Sequence, residues 1–227
     1  PPRSTLFPYT TLFRSADYNE CFILTADVNL AGEDFNKAVI ANAEQGTEFR
    51  GVFDGNGHKI TNLTITGDNL YVGLFGKIGI FGIVKNLTIE DCNISGDAYV
   101  GGLAGDIYNC SLSNCRVTGK IYGDDTTGGL VGQNYSGDLS NCRSSGDVSG
   151  YHDWIGGLVG NSLFSVVSNC QSDMQVHGDD CIGGLLGSAF CDSMFNSYST
   201  GDISGNERIG GLIGDNERSE ERRVGKE

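Results

Sequence analysis

The side chains in this sequence that could do chemistry are histidines, cysteines, carboxylates and aromatic rings. The chain of 227 residues has three histidines, eight cysteines and 29 Asp and Glu residues. Zinc peptidases use the H-E-x-x-H motif and many serine hydrolases use G-x-S-x-G. Neither motif occurs, and His58, His152 and His177 are widely separated. We therefore expect no catalytic residues, no cofactor-binding residues and no metal ligands in this chain.

The cysteines allow two interpretations. Cys115, Cys142 and Cys170 recur every 27 or 28 residues, which favours one inward-facing column in which each thiol packs as a small hydrophobic group. The alternative is disulfide bonding, for which Cys110 with Cys115 and Cys181 with Cys191 are the candidate pairs. No C-x-x-C pair is present, so the sequence does not favour a structural zinc site.

Aspartates recur at a second position. Asp97, Asp124 and Asp179 each follow a short apolar segment, and we expect them to be solvated turn residues. Stacked carboxylates repel one another unless a cation intervenes, so calcium is the alternative. The Gly-Gly-x-Gly-x-Asp nonapeptide of calcium-binding β-rolls is absent. We therefore expect no cofactor, with calcium retained as the alternative.

A third recurring position carries aromatic residues. Rings presented at regular intervals could stack on sugars or on a receptor surface. Alternatively, they cover a corner of the fold. The column consists of Tyr71, Tyr99, Thr126, Trp154, Cys181 and Arg208.

The two ends of the chain match a translated sequencing-library adapter. Residues 218–227, RSEERRVGKE, are one strand of the adapter oligonucleotide in translation, and residues 1–15, PPRSTLFPYTTLFRS, are the opposite strand with its upstream bases. We therefore exclude both ends from fold reasoning. We also expect the natural gene to continue beyond residues 16–217.

Composition excludes several classes of protein. The net charge is −14, whereas nucleic-acid-binding proteins need clustered cations. No apolar run approaches the roughly 20 residues of a membrane-spanning helix. We therefore expect no nucleic-acid partner and no membrane insertion by this fragment. All three prolines, Pro1, Pro2 and Pro8, lie in the first eight residues, while glycine occurs 35 times.

Internal repeats organise the remainder. A Gly-Gly-Leu-apolar-Gly motif brings leucine to positions 103, 130, 158, 185 and 212, and a shortened copy, YVGLFG, contains Leu74. Each repeat also has an Asn-Cys-like segment and an apolar-x-Gly segment. Three short apolar segments in about 27 residues predict three strands per repeat, which bury a core only when repeats stack. The absence of proline fits continuous strand ladders, because proline has no N–H to donate. We predict an all-β, right-handed parallel β-helix.

The alignment predicts which side chains point inward. One column contains Val84, Leu112, Leu139, Val167 and Met194, and another, three places later, contains Leu87, Cys115, Cys142, Cys170 and Ser197. An odd offset requires a bend, which the intervening Asn could supply in the left-handed conformation. These Asn amides could also bond to one another along the axis. We expect the Gly pair to form a similar corner, and a short helix at residues 34–43 to cap the first coil.

The repeats resemble a known family. GGLVG followed by SNCRSSGDVSG is similar to the GLUG-motif repeats of bacterial surface proteins. The resemblance implies a pectate-lyase-like β-helix, and FRGVFDGNGHKITNLTITG resembles the segment that commonly precedes such repeats. We divide the chain into a capping region with the first coil or coils at 16–68 and GLUG-type repeats at 69–217, truncated at the C-terminal end.

Two functions from different classes follow. The first is a non-catalytic structural or adhesive module of a bacterial cell-surface or secreted protein, monomeric, with a glycan or a host or cell-surface protein as partner. The second is a fragment of a carbohydrate-active β-helix enzyme, or the non-catalytic region of a secreted metallopeptidase. Repeat lengths vary by only a residue or two and leave no loop insertion to build a cleft, so we favour the first.

Overall fold

The chain winds into parallel stacked coils. The computed structural model describes Arg3–Ser4, residues 18–43 and residues 46–217, and it contains no α-helix in those ranges. Consecutive coils pair through parallel strands, and about seven coils of roughly 27 residues stack in this way. The predicted all-β parallel β-helix is therefore confirmed.

Three sheets form the faces of the stack, and each coil passes through sheet 3, sheet 1 and sheet 2 in turn. Sheet 1 contains Arg3–Ser4, Cys21–Ile23, Val52–Asp54, Ile83–Lys85, Ser111–Ser113, Asp138–Ser140, Val166–Ser168 and Ser193–Phe195. Sheet 2 contains Val28–Asn29, Asp34–Phe35, Lys59–Thr61, Thr64–Ile65, Thr88–Gly101, Arg116–Gly128, Arg143–Gly150, Asp153–Gly156, Gln171–His177, Asp180–Gly183, Tyr198–Ser199, Ile203–Ser204 and Ile209–Gly210. Sheet 3 contains Phe75–Ile78, Ala104–Tyr108, Val131–Tyr135, Val159–Leu163, Leu186–Phe190 and Ile213–Glu217.

The core is built from the predicted columns. Leu112 pairs in register with Val84 and Leu139, and these three side chains are fully buried. The column three places later is also interior, because Leu87, Cys115, Cys142 and Cys170 are buried. In the described residues the two columns lose full burial only at Met194 and Ser197, near the last coil.

The Asn between the two columns turns the chain as expected. Each lies in the left-handed region, with φ from 48° to 54° at Asn86, Asn114, Asn141, Asn169 and Asn196. Some of these amides bond along the axis: Asn114 Nδ2 donates to Asn86 Oδ1 at 3.1 Å, and Asn196 Nδ2 donates to Asn169 Oδ1 at 3.3 Å. The left-handed residue explains how side chains three places apart both point inward.

The role predicted for the Gly pair is wrong in one respect. The left-handed residue of this corner is the one before the inward Val or Ile, such as Tyr99 with φ 56° and Trp154 with φ 63°. The Gly pair is needed for close approach instead: a Cβ at Gly102 would overlap Val117 Cγ1 and lie 2.8 Å from the carbonyl oxygen of Gly129.

The predicted capping helix at residues 34–43 is also wrong. Asp34–Phe35 is a strand that pairs with Thr64–Ile65, and Ile40 forms a parallel bridge with Phe75. The backbone then turns at Ala41, where φ is 47°. This segment is therefore extended, because the strands of the next coil offer it free backbone hydrogen-bonding groups. Within the described ranges, no helix has the length and apolar character needed to cross a bilayer.

Candidate functional site

The predicted aromatic column covers a corner of the β-helix. Tyr71 and Tyr99 stack at 4.8 Å with an interplanar angle of 9°, and Lys77 Nζ lies 3.7 Å from the Tyr71 ring centroid. Thr126 and Cys181 of the same column are buried, and Trp154 is half-buried. Since the faces of the Tyr71 ring are occupied by neighbours, this column seals the corner.

Charged groups at both ends of this column are paired. Lys77 bonds Asp106 at 3.1 Å. Burial raises the pKa of Asp106, and the Lys77 charge opposes that effect. Arg208 pairs with Asp180 and, at 2.8 Å, with Asp215, and the Arg208 hydrogen bonds lower the pKa of Asp180. The Lys77–Asp106 and Arg208–Asp180 ion pairs therefore link neighbouring coils.

The structure brings together two of the three predicted turn aspartates. Asp97 and Asp124 line a cleft of about 280 Å³ with Asp68 and Tyr122, and the Tyr122 hydroxyl donates to Asp124 at 3.1 Å. Asp179 lies elsewhere and accepts a bond from Asn206. In the part of the chain that the structure describes, no group of three or more His, Cys, Asp or Glu side chains is arranged to hold a metal. The calcium alternative therefore has no ligand cluster there.

The three histidines stay apart in space. His58 Nδ1 lies 3.1 Å from Asp27 Oδ1, and the bonds from Lys59 N–H and His58 lower the pKa of Asp27. His177 contacts Ser204, and the backbone N–H of His152 donates to the Asp124 carbonyl at 2.7 Å. Each of these contacts joins neighbouring coils, and the three histidines do not form one site.

The cysteines are free thiols, and the two candidate disulfides are not formed. Cys115, Cys142 and Cys170 stack in one interior column, where the Cys142 N–H points to the sulfur of Cys170 at 3.4 Å. Burial raises the pKa of the Cys110 thiol and raises that of Cys92 to about 12. The interior thiols therefore resist ionisation and pack as apolar groups.

An aromatic surface that the repeat alignment missed lies at the corner between sheets 3 and 1. We call it the aromatic ridge; it consists of Tyr108, Tyr135, Phe164 and Phe190. Phe164 is 48% exposed, and Phe81, which continues the corner on the N-terminal side, is 82% exposed. Rings at roughly the repeat spacing were the available signal. They escaped notice because Phe164 lies one residue later in its coil than Tyr135 does.

Ring geometry differs along the ridge. Tyr108 and Tyr135 stack at 5.3 Å with an interplanar angle of 30°. Phe164 is turned by 64° from Tyr135 and by 83° from Phe190, at centroid distances of 5.6 and 5.2 Å. Phe164 occupies the left-handed position of its corner, with φ 54°, which explains why its ring departs from the stack.

Uncharged polar groups flank the ridge. Gln133 is two residues before Tyr135 on the outer face of sheet 3 and pairs in register with Asn161 on the next coil. Both side chains are half-buried. Among the described residues, no hydrogen bond is found for either side-chain amide or for the Tyr108 and Tyr135 hydroxyls. The ridge thus combines aromatic rings with unused donors and acceptors.

Comparison with known proteins supports the fold and the repeat family. The profile of the GLUG motif matches residues 96–122 and 124–149. Halomucin of Haloquadratum walsbyi is 35% identical over 47% of this chain, and a "Putative Gly-rich membrane protein" of Evansella cellulosilytica is 39% identical over 29% of it. The chain spans 1% and 8% of the lengths of these two relatives.

A solved structure has the same architecture. It is a "putative immunoglobulin A1 protease" from Bacteroides ovatus, with a TM-score of 0.59 and 16% sequence identity over 88% of this chain and 78% of the other. At that identity the likeness concerns the fold alone. The repeats, the two motif matches and the stacked parallel coils identify this chain as a GLUG-repeat parallel β-helix protein.

Proposed function

We propose that this β-helix is a non-catalytic adhesive module of a cell-surface or secreted protein, and that it binds a glycan or a surface protein of another cell. The observation that carries the proposal is the aromatic ridge, a row of contacting rings on a rigid stack with unused polar groups beside it. Exposed aromatic side chains are over-represented where proteins bind partners.

Two further features support this function. The relatives named above include a mucin-named protein and a membrane protein, which fits a surface location. Asp106, the carboxylate beside Tyr108, is held in an ion pair with Lys77. General acid–base catalysis needs a pair of free groups converging on one substrate position, a role that the ion-paired Asp106 does not fill.

The proposal is tested by applying the labelled chain to a glycan array and to intact bacterial and host cells. We expect retention on a subset of glycans or cells, with no change in the size of the bound glycans after long incubation. Trp154→Ala should bind equally well, because Trp154 lies at the other corner. If the chain is retained no better than an unrelated acidic protein on every glycan and cell, or if it cleaves what it binds, the proposed function is wrong.

A further inference from the structure

We propose that the aromatic ridge and the flanking amides of Gln133 and Asn161 form a binding site for an uncharged linear polysaccharide that lies along the axis of the β-helix. This inference rests on the adhesive function proposed above and assigns its site and its ligand class. Four properties of the ridge support it: ring orientation, free polar groups, spacing and charge.

Ring orientation and exposure distinguish Phe164 from the stacked tyrosines. The faces of Tyr108 and Tyr135 are turned toward each other. Phe164 is steeply tilted to the rings on both sides, so neither of them stacks face to face on it, and nearly half of its surface is exposed. The apolar C–H face of a pyranose packs on an open aromatic face in the same way as other apolar groups do. Phe164 is therefore the ring on which we place a sugar of the polysaccharide.

The polar groups are placed for hydroxyl-rich ligands. Gln133 and Asn161 lie side by side on adjacent coils, and each presents an amide that can both donate and accept. The hydroxyls of Tyr108 and Tyr135 add further donors at the exposed ring edges. A polyhydroxylated chain can engage all four groups, whereas an apolar partner would leave them unpaired at a cost.

The spacing of the site suits a linear polymer. Adjacent coils are separated by about 4.8 Å, as in any β-ladder, and the rings of the ridge are 5.2–5.6 Å apart. An extended polysaccharide advances by a comparable distance per sugar. A chain parallel to the axis would thus meet an equivalent group on every coil, and several weak contacts would act together.

Charge favours an uncharged ligand. The chain carries a net charge of −14, and Asp138 is an exposed carboxylate beside the ridge on sheet 1. A polymer of acidic sugars would be repelled by this surface. Gln133 and Asn161, beside Tyr135 and Phe164, are neutral amides. The next residue of this column is the carboxylate Asp106, whose ion pair at 3.1 Å occupies Lys77.

The test measures the affinity of the full chain for neutral β-glucan, mannan and xylan, and for carboxymethylated β-glucan, by affinity electrophoresis and calorimetry. We expect at least one neutral polymer to bind and the carboxymethylated form to bind several-fold more weakly. Phe164→Ala should lower affinity about tenfold, the usual effect of removing a central aromatic contact. Gln133→Glu, which keeps the shape of the side chain, should lower it several-fold.

Tyr99→Ala is the matched control. Like Phe164, Tyr99 occupies a left-handed corner position and contacts a neighbouring ring, but it lies on the other corner. Tyr99→Ala should lose comparable stability and retain full affinity, with all variants compared well below their melting temperatures. Wild-type affinity in both Phe164→Ala and Gln133→Glu would overturn the site while adhesion stands. Equal or tighter binding of the carboxymethylated polymer, or binding to cells but to no neutral polymer, would overturn the ligand class. Binding to no cell or glycan would contradict the proposed function itself.

Discussion

At the scale of single residues, the carboxyl of Asp192 lies in an environment that disfavours its charged form. Asp192 Oδ1 accepts the Ser165 N–H at 2.8 Å, but Oδ2 is buried and has no hydrogen-bond partner among the described residues. Burial raises the pKa of this carboxyl, because the charged form is poorly solvated. The folded chain therefore holds the Asp192 proton more tightly than the unfolded chain does.

This environment predicts the effect of Asp192→Asn. A raised pKa contributes stability that is complete below the ordinary carboxyl pKa and is lost as pH rises through the raised value. Asn cannot ionise and can still accept the Ser165 bond, so the variant should gain about 1 kcal/mol over the wild type at pH 7. The gain should shrink toward pH 3. Urea unfolding of both proteins at several pH values measures it; a constant difference across pH would show that Asp192 titrates normally.

At the scale of the repeat element, the Gly pair allows neighbouring coils to stack closely. A Cβ at Gly157 would overlap the carbonyl oxygen of Gly184 and Ser172 Oγ, whereas a Cβ at Gly211, the same position two coils later, meets nothing within 4 Å. Gly157→Ala should therefore cost about 1–3 kcal/mol, the usual penalty of overpacking. Gly211→Ala should be within a few tenths of neutral. Thermal unfolding of the pair checks this, and equal melting temperatures would refute the close-approach role.

The repeat alignment predicted most of the fold but not all of its local backbone. The inward columns and the left-handed Asn residues could be predicted, because period and residue type determine them directly. The conformation of the corner residue before each Gly pair could not be predicted. Tyr99, Trp154 and Arg208 adopt left-handed φ values there that side chains of these types rarely take. Only the stacking of neighbouring coils imposes that conformation. The strand at Asp34–Phe35 is a similar case, because a ladder edge overrides local helical pattern.

At the scale of the whole molecule, the candidate binding surface exists only after stacking. Tyr108, Tyr135, Phe164 and Phe190 come from four successive coils, and none contacts another until the coils are in register. The sequence alignment pointed to the Trp154 column instead, because that column follows the repeat without a shift. Whether the rings at a corner are exposed depends on the side chains that pack over them, and the repeat period alone does not determine that packing.

The most direct test of the account is to titrate the isotope-labelled chain with a neutral oligosaccharide of the polymer that it binds, and to follow its side-chain amide and aromatic signals by NMR. The account predicts shifts confined to the ridge and its flank, at Gln133, Tyr135, Asn161 and Phe164, with the Trp154 indole unchanged. Shifts centred on Tyr99 and Trp154, with the ridge signals unmoved, would contradict it.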